Sequence, residues 1–259
     1  MSGQVPYDDF AEIYDVWCGS TPITRENQGF YVRQLVAAEG PAVELGVGNG
    51  RICIEAAKQG KDVIGVDSSS KILELCETRA RKAGVSDRLT LVQGDFRDFV
   101  LEEPADLITI PFHSIGHLLT DGDKKKALAN IYNQLRRGGR FIFDHFIFDP
   151  SYGPGSGVPY LRAEFRDQET GRDLLLWEAT THDPEHQMLR IVVWTDDLDA
   201  GGNVVHRRYR RINLSWMTPE QSFNLLEEAG FEIDAAYGDF DENPMDEKST
   251  HQVWVAVRP

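Results

Sequence analysis

Between Pro41 and Phe148 five short strand-like runs alternate with longer amphipathic stretches, and this alternation constrains the fold more than any other feature of the chain. The runs are Ala42–Leu45, Asp62–Val66, Leu89–Gln93, Asp106–Ile110 and Arg140–Asp144. Short apolar runs of this kind suit strands buried on both faces, as in a parallel sheet flanked by helices. The stretches between them read as helices. Arg51–Gln59 follows the first strand, and Ser69–Ala83 places Ile72, Leu73, Leu75, Cys76 and Ala80 at helical spacing before Gly84 stops it. Asp121–Leu135 is the next, closed by Gly138 and Gly139. The order gives the first five strands of a doubly wound sheet.

Further on, Thr218 N-caps a helix that opens at Pro219 and ends at Gly230. Phe231–Tyr237 and Gln252–Val257 then supply a sixth and a seventh strand. Upstream, Tyr7, Phe10, Tyr14, Trp17, Phe30 and Tyr31 mark one or two helices that cap the sheet or roof a pocket. After the fifth strand the Gly- and Pro-rich Pro150–Pro159 leads into four more runs, Tyr160–Arg166, Asp173–Thr181, Gln187–Asp197 and Val204–Leu214. Turn signals at Asp183-Pro184 and Gly201-Gly202-Asn203 make these an antiparallel insertion. The expected layout is a helical cap over 1–40, a ligand-binding core over 41–149, an inserted antiparallel sheet over 150–216 and a return to the core over 217–259. A chain of 259 residues, 41% of them hydrophobic, is long enough to bury a core of that size.

Composition narrows the partners. Lys and Arg number 27 against 42 Asp and Glu, a formal charge of -15 that repels phosphate backbones, so no nucleic-acid partner is expected. The longest uncharged stretch, Leu107–Thr120, is too short to span a bilayer, and Met1–Phe10 has no leader character, so neither membrane nor export is expected. Cys18, Cys53 and Cys76 form no C-x-x-C pair and are odd in number, which suits a reducing cytoplasm.

The stretch Val43-Glu44-Leu45-Gly46-Val47-Gly48-Asn49-Gly50 runs a strand into a glycine loop that opens a helix. Glycines there let backbone amides approach a ligand closely, or simply make a tight turn. The spacing is G-x-G-x-G rather than the G-x-G-x-x-G of dinucleotide enzymes, which argues against a pyrophosphate guest and a dehydrogenase. Asp67 ends the second strand about twenty residues on, where an acid accepts both hydroxyls of a ribose or else caps the following helix. Asp95, in Gly94-Asp95-Phe96, closes the third strand, placed to accept the exocyclic amine of an adenine beside the Phe96 ring or to serve as a turn aspartate.

Glu44-x-Gly46-x-Gly48-x-Gly50, then Asp67, then Gly94-Asp95-Phe96 resemble the motif series of class I S-adenosylmethionine-dependent methyltransferases. The resemblance covers Ala42 to Phe148 and extends to the last two strands. It implies a Rossmann-like, mostly parallel seven-stranded sheet carrying the inserted antiparallel sheet. It also implies S-adenosylmethionine as cofactor, S-adenosylhomocysteine as product, and a binding set of Glu44, Gly46, Gly48, Asp67, Ser68, Asp95, Phe96 and Pro111. Ala11-Glu12-Ile13-Tyr14-Asp15, Phe96-Arg97-Asp98-Phe99, Ser114-Ile115-Gly116-His117-Leu118 and the inserted strands are similar to the N,N-dimethyltransferases of nucleotide-linked amino sugars. That group shows an acid with bulky aromatics after the fifth strand, where this chain has Asp144-His145-Phe146-Ile147-Phe148. The narrower resemblance implies a small-molecule acceptor, an active-site role for Tyr14, and a homodimer formed through the insertion.

Methyl transfer needs an in-line nucleophile and, where necessary, removal of its proton. His113, His117 and His145 follow the fourth and fifth strands, at the sheet edge where open α/β folds bind ligands. His117 is the expected base, with Tyr14 and His145 as further catalytic candidates and Tyr14, Trp17, His113, His117 and His145 as the acceptor site. No carboxylates follow the fourth strand in Pro111-Phe112-His113-Ser114, so metal-independent chemistry is expected. The basic run His206–Arg211 faces phosphates of a substrate or guards a sheet edge against aggregation. Transfer to nitrogen is the first reading. Transfer to oxygen, or a binding protein that has lost catalysis, is the alternative.

Overall fold

The computed structural model describes residues 7–21, 23–149, 157–167 and 170–259, with the backbone alone for residues 23–25. The first residues of the segment read for a leader and most of the Gly- and Pro-rich linker fall outside these.

In chain order the elements are α1 (Tyr14–Gly19), α2 (Ile23–Ala37), β1 (Ala42–Leu45), α3 (Cys53–Lys58), β2 (Val63–Asp67), α4 (Ser70–Ala83), β3 (Leu89–Gln93), β4 (Ala105–Ile110), α5 (Asp121–Gln134) and β5 (Leu135–Phe146). The inserted strands β6 (Tyr160–Arg166), β7 (Asp173–Asp183), β8 (Met188–Leu198) and β9 (Val204–Ser215) follow, then α6 (Pro219–Glu228), β10 (Glu232–Tyr237) and β11 (His251–Val257). Short 3₁₀ turns sit at Tyr7–Asp9, Ser86–Arg88 and Ser114–His117.

The main sheet runs β10-β11-β5-β4-β1-β2-β3, with β1 to β5 parallel and β11 antiparallel to both of its neighbours. The order reverses between β1 and β4, and that switch point opens a crevice at their carboxyl ends. The second sheet is antiparallel in the order β6-β7-β8-β9. This is the α/β architecture expected from the alternation, with its doubly wound seven-stranded sheet and separate antiparallel insertion.

Local signals act where the sequence placed them. Ser69 Oγ accepts the Ile72 N–H at 3.2 Å and starts α4, which Gly84 ends at φ +72°. Thr218 and Gln221 form a reciprocal capping box on α6. One boundary differs. Gly138 and Gly139 do not close α5; they lie inside β5, which starts at Leu135. Pairing with β4 shifts register between Ala105 and Leu107, and the two glycines sit in the resulting bulge. There the Gly138 N–H donates to the Arg258 carbonyl (2.7 Å) and the Arg258 N–H to the Gly139 carbonyl (2.9 Å).

The sheet is buried on both faces. Phe30, Tyr31 and Leu35 of α2 pack on one side with Ala56 of α3 and Cys76 of α4, and Leu128 and Ile131 of α5 with Leu226 of α6 on the other. A third cluster seats Phe10 and Ile13 against Leu176, Val193 and Ile212 of the second sheet. The N-terminal segment is thereby held over the carboxyl edge of the main sheet by the insertion, and both roof the crevice.

Candidate active site

The glycine loop is a tight structure with little spare room. Gly46 (φ +71°) and Val47 both donate their N–H to the Val66 carbonyl, at 2.8 and 3.1 Å. A Cβ on Gly48 (φ +58°) would lie 2.5 Å from the Tyr14 hydroxyl, so only glycine lets the N-terminal helix close on the loop. Asp67 closes the other side: Oδ2 accepts the Gly48 N–H at 3.1 Å and Oδ1 the Ser69 N–H at 3.0 Å. The cap of α4 is Ser69, not Asp67. Burial raises the Asp67 carboxyl, against the opposing amides of Ser69, Gly48 and Ser68.

A cavity of about 420 Å³ opens beside this loop. Gly46, Asp67, Ser68, Asp95 and Phe96 line it, together with Tyr14, Trp17, His113 and His117. Four expected site residues are elsewhere. Glu44 is buried behind the loop, within reach of the Cys53 N–H. Gly48 is screened by Tyr14, and the loop turns at Pro111 so that Phe112 reaches the cavity in its place. His145, fully buried, bonds the Ser215 carbonyl through Nε2 at 3.1 Å and packs under Gly116. It is not among the residues that line the cavity, although its ring lies 5.8 Å from that of His113, which is.

Several lining groups escape the sequence reading. Arg97 forks onto Asp95 (2.8 and 2.7 Å) and reaches Asp123 (2.7 Å). Arg162 of β6 pairs with Glu178 of β7 at 3.4 Å, and Glu178 also accepts the Trp17 indole N–H (3.0 Å) and the Tyr160 hydroxyl (2.6 Å). This joins the insertion to α1 across the roof. No local motif signals it, because its members are 161 and 18 residues apart along the chain. The run His206–Arg211 has a related role. Arg207 pairs with Asp196, Arg208 with Asp9 and Glu12, and Arg210 with Glu12, so these arginines tie the N-terminal segment and β8 to the edge strand.

The loop after β4 is strained. Phe112 and His113 both have positive φ, +61° and +57°, which non-glycine residues rarely adopt. Asp144 of β5 holds them there. Fully buried, it accepts the Phe112 N–H (2.8 Å), the His113 N–H (3.2 Å) and the Tyr31 hydroxyl (2.6 Å), and His113 Nδ1 lies 3.1 Å away. These donors, with His113 foremost, keep the Asp144 carboxyl below its ordinary value despite burial, the largest opposing effect.

His117 Nε2 lies 2.7 Å from the Tyr7 hydroxyl. Burial pushes the imidazole down to about 4 and raises the Tyr7 and Tyr14 phenols, so all three are uncharged at neutral pH.

Residues 42–139 match the family described as methyltransferase domain. The chain is 26% identical to the CcbJ methyltransferase of Streptomyces caelestis, with a TM-score of 0.78 over 96% of this chain and 95% of the other. Residues 42–139 thus carry a methyltransferase domain, within a chain that resembles CcbJ along nearly its whole length. The sugar N-methyltransferase KedS8 of Streptoalloteichus sp. shares the fold at 18% identity and a TM-score of 0.68, over 100% of this chain and 94% of KedS8. Among curated relatives, glycine/sarcosine N-methyltransferase of Parasynechococcus marenigrum is 24% identical over 92% of this chain and 80% of its own. The putative methyltransferase YqeM of Bacillus subtilis is 24% identical over 53% of this chain, and the match takes in about half of YqeM, 54%.

The glycopeptide N-methyltransferase MtfA, which shares the fold at 21–22% identity, is complexed with S-adenosyl-L-homocysteine or S-adenosyl-L-methionine, and the cavity here offers groups that suit such a nucleoside. Asp67 and Ser68 offer acceptor and donor groups beside the glycine loop, and Asp95 and Phe96 add theirs. Among the described residues no group of three or more His, Cys, Asp or Glu is placed to hold a metal ion, and no helix is long and apolar enough to cross a membrane.

Proposed function

We propose that the chain is an S-adenosylmethionine-dependent methyltransferase that transfers a methyl group to a nitrogen of a small, natural-product-type acceptor such as an amino sugar, bound between Tyr14, Trp17, His113 and His117. S-adenosylmethionine supplies an electrophilic sulfonium methyl; the chain supplies placement. The observation that carries the reading is the uncharged His117–Tyr7 pair. A hydroxyl acceptor needs a base to ionise it, and an imidazole held near 4 is a poor one. The carboxylates lining the cavity are no better, since Asp95, Asp123 and Glu178 are each ion-paired to Arg97 or Arg162 and Asp67 is held by the Gly48 and Ser69 amides. A free amine needs no such base. It brings its own lone pair and has only to be held in line.

The same pairing bears on the acceptor's charge. Arg97 and Arg162 are the arginines that line the cavity, and both are already matched to carboxylates. An acceptor with a carboxylate beside its amine, as in glycine, would meet no unpaired arginine among the described lining residues, which favours an amine on a neutral scaffold.

His117 therefore acts as a positioning hydrogen-bond acceptor rather than the resting base. Taking a proton from an ammonium of pKa near 9 onto an imidazole near 4 would cost about 7 kcal/mol, at about 1.4 kcal/mol per pH unit. The test is steady-state kinetics on a panel of amines, amino sugars and phenols, followed by S-adenosylhomocysteine release with and without EDTA. With the best amine, His117→Ala should raise KM about 10- to 100-fold and lower kcat less than about 10-fold. The acid limb of kcat/KM should follow the acceptor's own pKa in both proteins. A kcat loss of 10²-fold or more at unchanged KM makes His117 the general base, and turnover of phenols alone overturns transfer to nitrogen. Activity should persist in EDTA, and a strict need for Mg²⁺ would overturn metal independence.

The insertion also supports a homodimer. Val204, Val205 and Tyr209, each 50% exposed, crowd the outer edge strand β9. Light scattering at micromolar concentration should show twice the monomer mass, and a monomer would refute the pairing. The buried thiols of Cys18, Cys53 and Cys76 are consistent with a reducing, cytoplasmic setting.

A further inference from the structure

Beside the cavity, the loop after β3 is tied to α5 by side-chain hydrogen bonds. Asp95 Oδ1 accepts the Arg97 backbone N–H (2.9 Å) and Nε–H (2.8 Å), and Oδ2 accepts Nη2–H (2.7 Å). The guanidinium then donates through Nη1 to Asp123 Oδ1 (2.7 Å). Asp123 is itself fixed: the Thr120 hydroxyl donates to its Oδ2 (2.7 Å), and Thr120 Oγ1 accepts its N–H (3.1 Å) at the cap of α5. From behind, Asn130 Nδ2 donates to the Phe96 and Phe99 carbonyls at 3.2 and 3.1 Å. Asp95, Arg97, Thr120 and Asp123 all line the cavity.

A carboxylate oxygen offers two lone-pair directions. The Arg97 fork and amide use both on Oδ1 and one on Oδ2, leaving a single acceptor direction on a carboxylate that cannot rotate. We infer that Arg97 is a positioning residue for base selection, which fixes Asp95 so that its one remaining lone pair accepts a 6-amino purine and rejects a 6-oxo purine. The inference rests on the S-adenosylmethionine reading of the cavity. It adds that selectivity for the base resides in the Asp95-Arg97-Asp123 strap rather than in Asp95 alone. A 6-oxo purine sets a carbonyl oxygen against that lone pair and can recover only by turning the carboxylate toward its N1–H. The strap forbids that turn.

The test compares S-adenosylhomocysteine with S-inosylhomocysteine by titration calorimetry on the full chain. Wild type should prefer the adenosyl ligand by about 100-fold or more, equivalent to about 2.7 kcal/mol. In Arg97→Gln, and in Arg97→Lys, which keeps the charge but not the fork, the preference should fall below about 10-fold. Should these variants fail to fold, Asp123→Asn leaves the fork and loosens its anchor, and it should still lower the ratio several-fold. Affinities that fall together at a constant ratio would make Arg97 merely structural and overturn the inference. An unchanged ratio in Asp95→Asn would place base reading outside Asp95 and overturn it from the other side. No binding of S-adenosylhomocysteine by wild type would instead sink the cofactor reading on which it rests.

Discussion

Replacing Glu44 by Gln should stabilise the protein, and by more as the pH rises. Glu44 stands in β1 between Gly65 of β2 and Thr109 of β4, only 2% exposed, with Oε2 lacking a hydrogen-bond partner. Burial outweighs the nearby Arg51 charge and the Cys53 N–H and lifts the carboxyl from 4.5 to about 8. The folded chain thus keeps a proton on Glu44 at pH values where the unfolded chain has released it. Where the native state binds more protons, stability falls as pH rises. The penalty begins near the unfolded value and levels off above the folded one. With the two values given, it amounts to about 1 kcal/mol at pH 5.5 and about 4 kcal/mol at pH 7.5. Glutamine keeps the shape and an oxygen for the Cys53 amide but has no proton to lose. The stability advantage of Glu44→Gln should therefore grow by about 3 kcal/mol between these pH values. His117 and His145, depressed to about 4 and about 3, cost stability in the opposite direction as pH falls below 6.5. Both proteins carry them, so they cancel in the difference. Urea unfolding at pH 5.5, 6.5 and 7.5 at fixed ionic strength, with m-values compared, gives the measurement. A flat difference, or one that shrinks with pH, would show that Glu44 is ionised in the fold and would refute the reasoning.

Asp67→Ala should weaken S-adenosylhomocysteine binding about 10- to 100-fold, and calorimetry returning wild-type affinity would remove Asp67 from the ribose site. Gly84→Ala and Gly48→Ala separate strain from contact. Both sites have positive φ, but a Cβ at Gly84 meets nothing within 4 Å whereas one at Gly48 meets Tyr14. Thermal unfolding should show a loss of about 1 kcal/mol for Gly84→Ala and a clearly larger one for Gly48→Ala, and equal losses would mean Tyr14 yields freely. Asp144→Asn should cost about 2–3 kcal/mol and Tyr31→Phe about 1 kcal/mol, since only the first removes the charge on which several donors converge. Circular dichroism melts with equal midpoints for Asp144→Asn and wild type would show that the strained loop holds itself.

What the sequence determines here is whatever depends on neighbours along the chain. The order of elements along the chain, the hairpins β7-β8 and β8-β9, the caps at Ser69 and Thr218 and the turn of the glycine loop follow from periodicity, turn residues and hydrogen bonds spanning a few positions. Strand order carries part of the site with it, because the ends of β1, β2, β3 and β4 must meet at one edge, and so Gly46, Asp67, Asp95 and His117 share a cavity. Only the tertiary structure decides which side chains of those segments face it. His113 and His145 looked alike in the sequence, each just beyond a strand. A left-handed turn anchored by Asp144 brings His113 to the crevice, while the pleat of β5 buries His145 against Ser215. The same holds for protonation and for pairing across the roof. The low pKa of His117, the raised one of Glu44 and the Trp17–Glu178–Arg162 clasp come from water excluded and partners supplied by segments far apart in the chain, and no local pattern of residues encodes either.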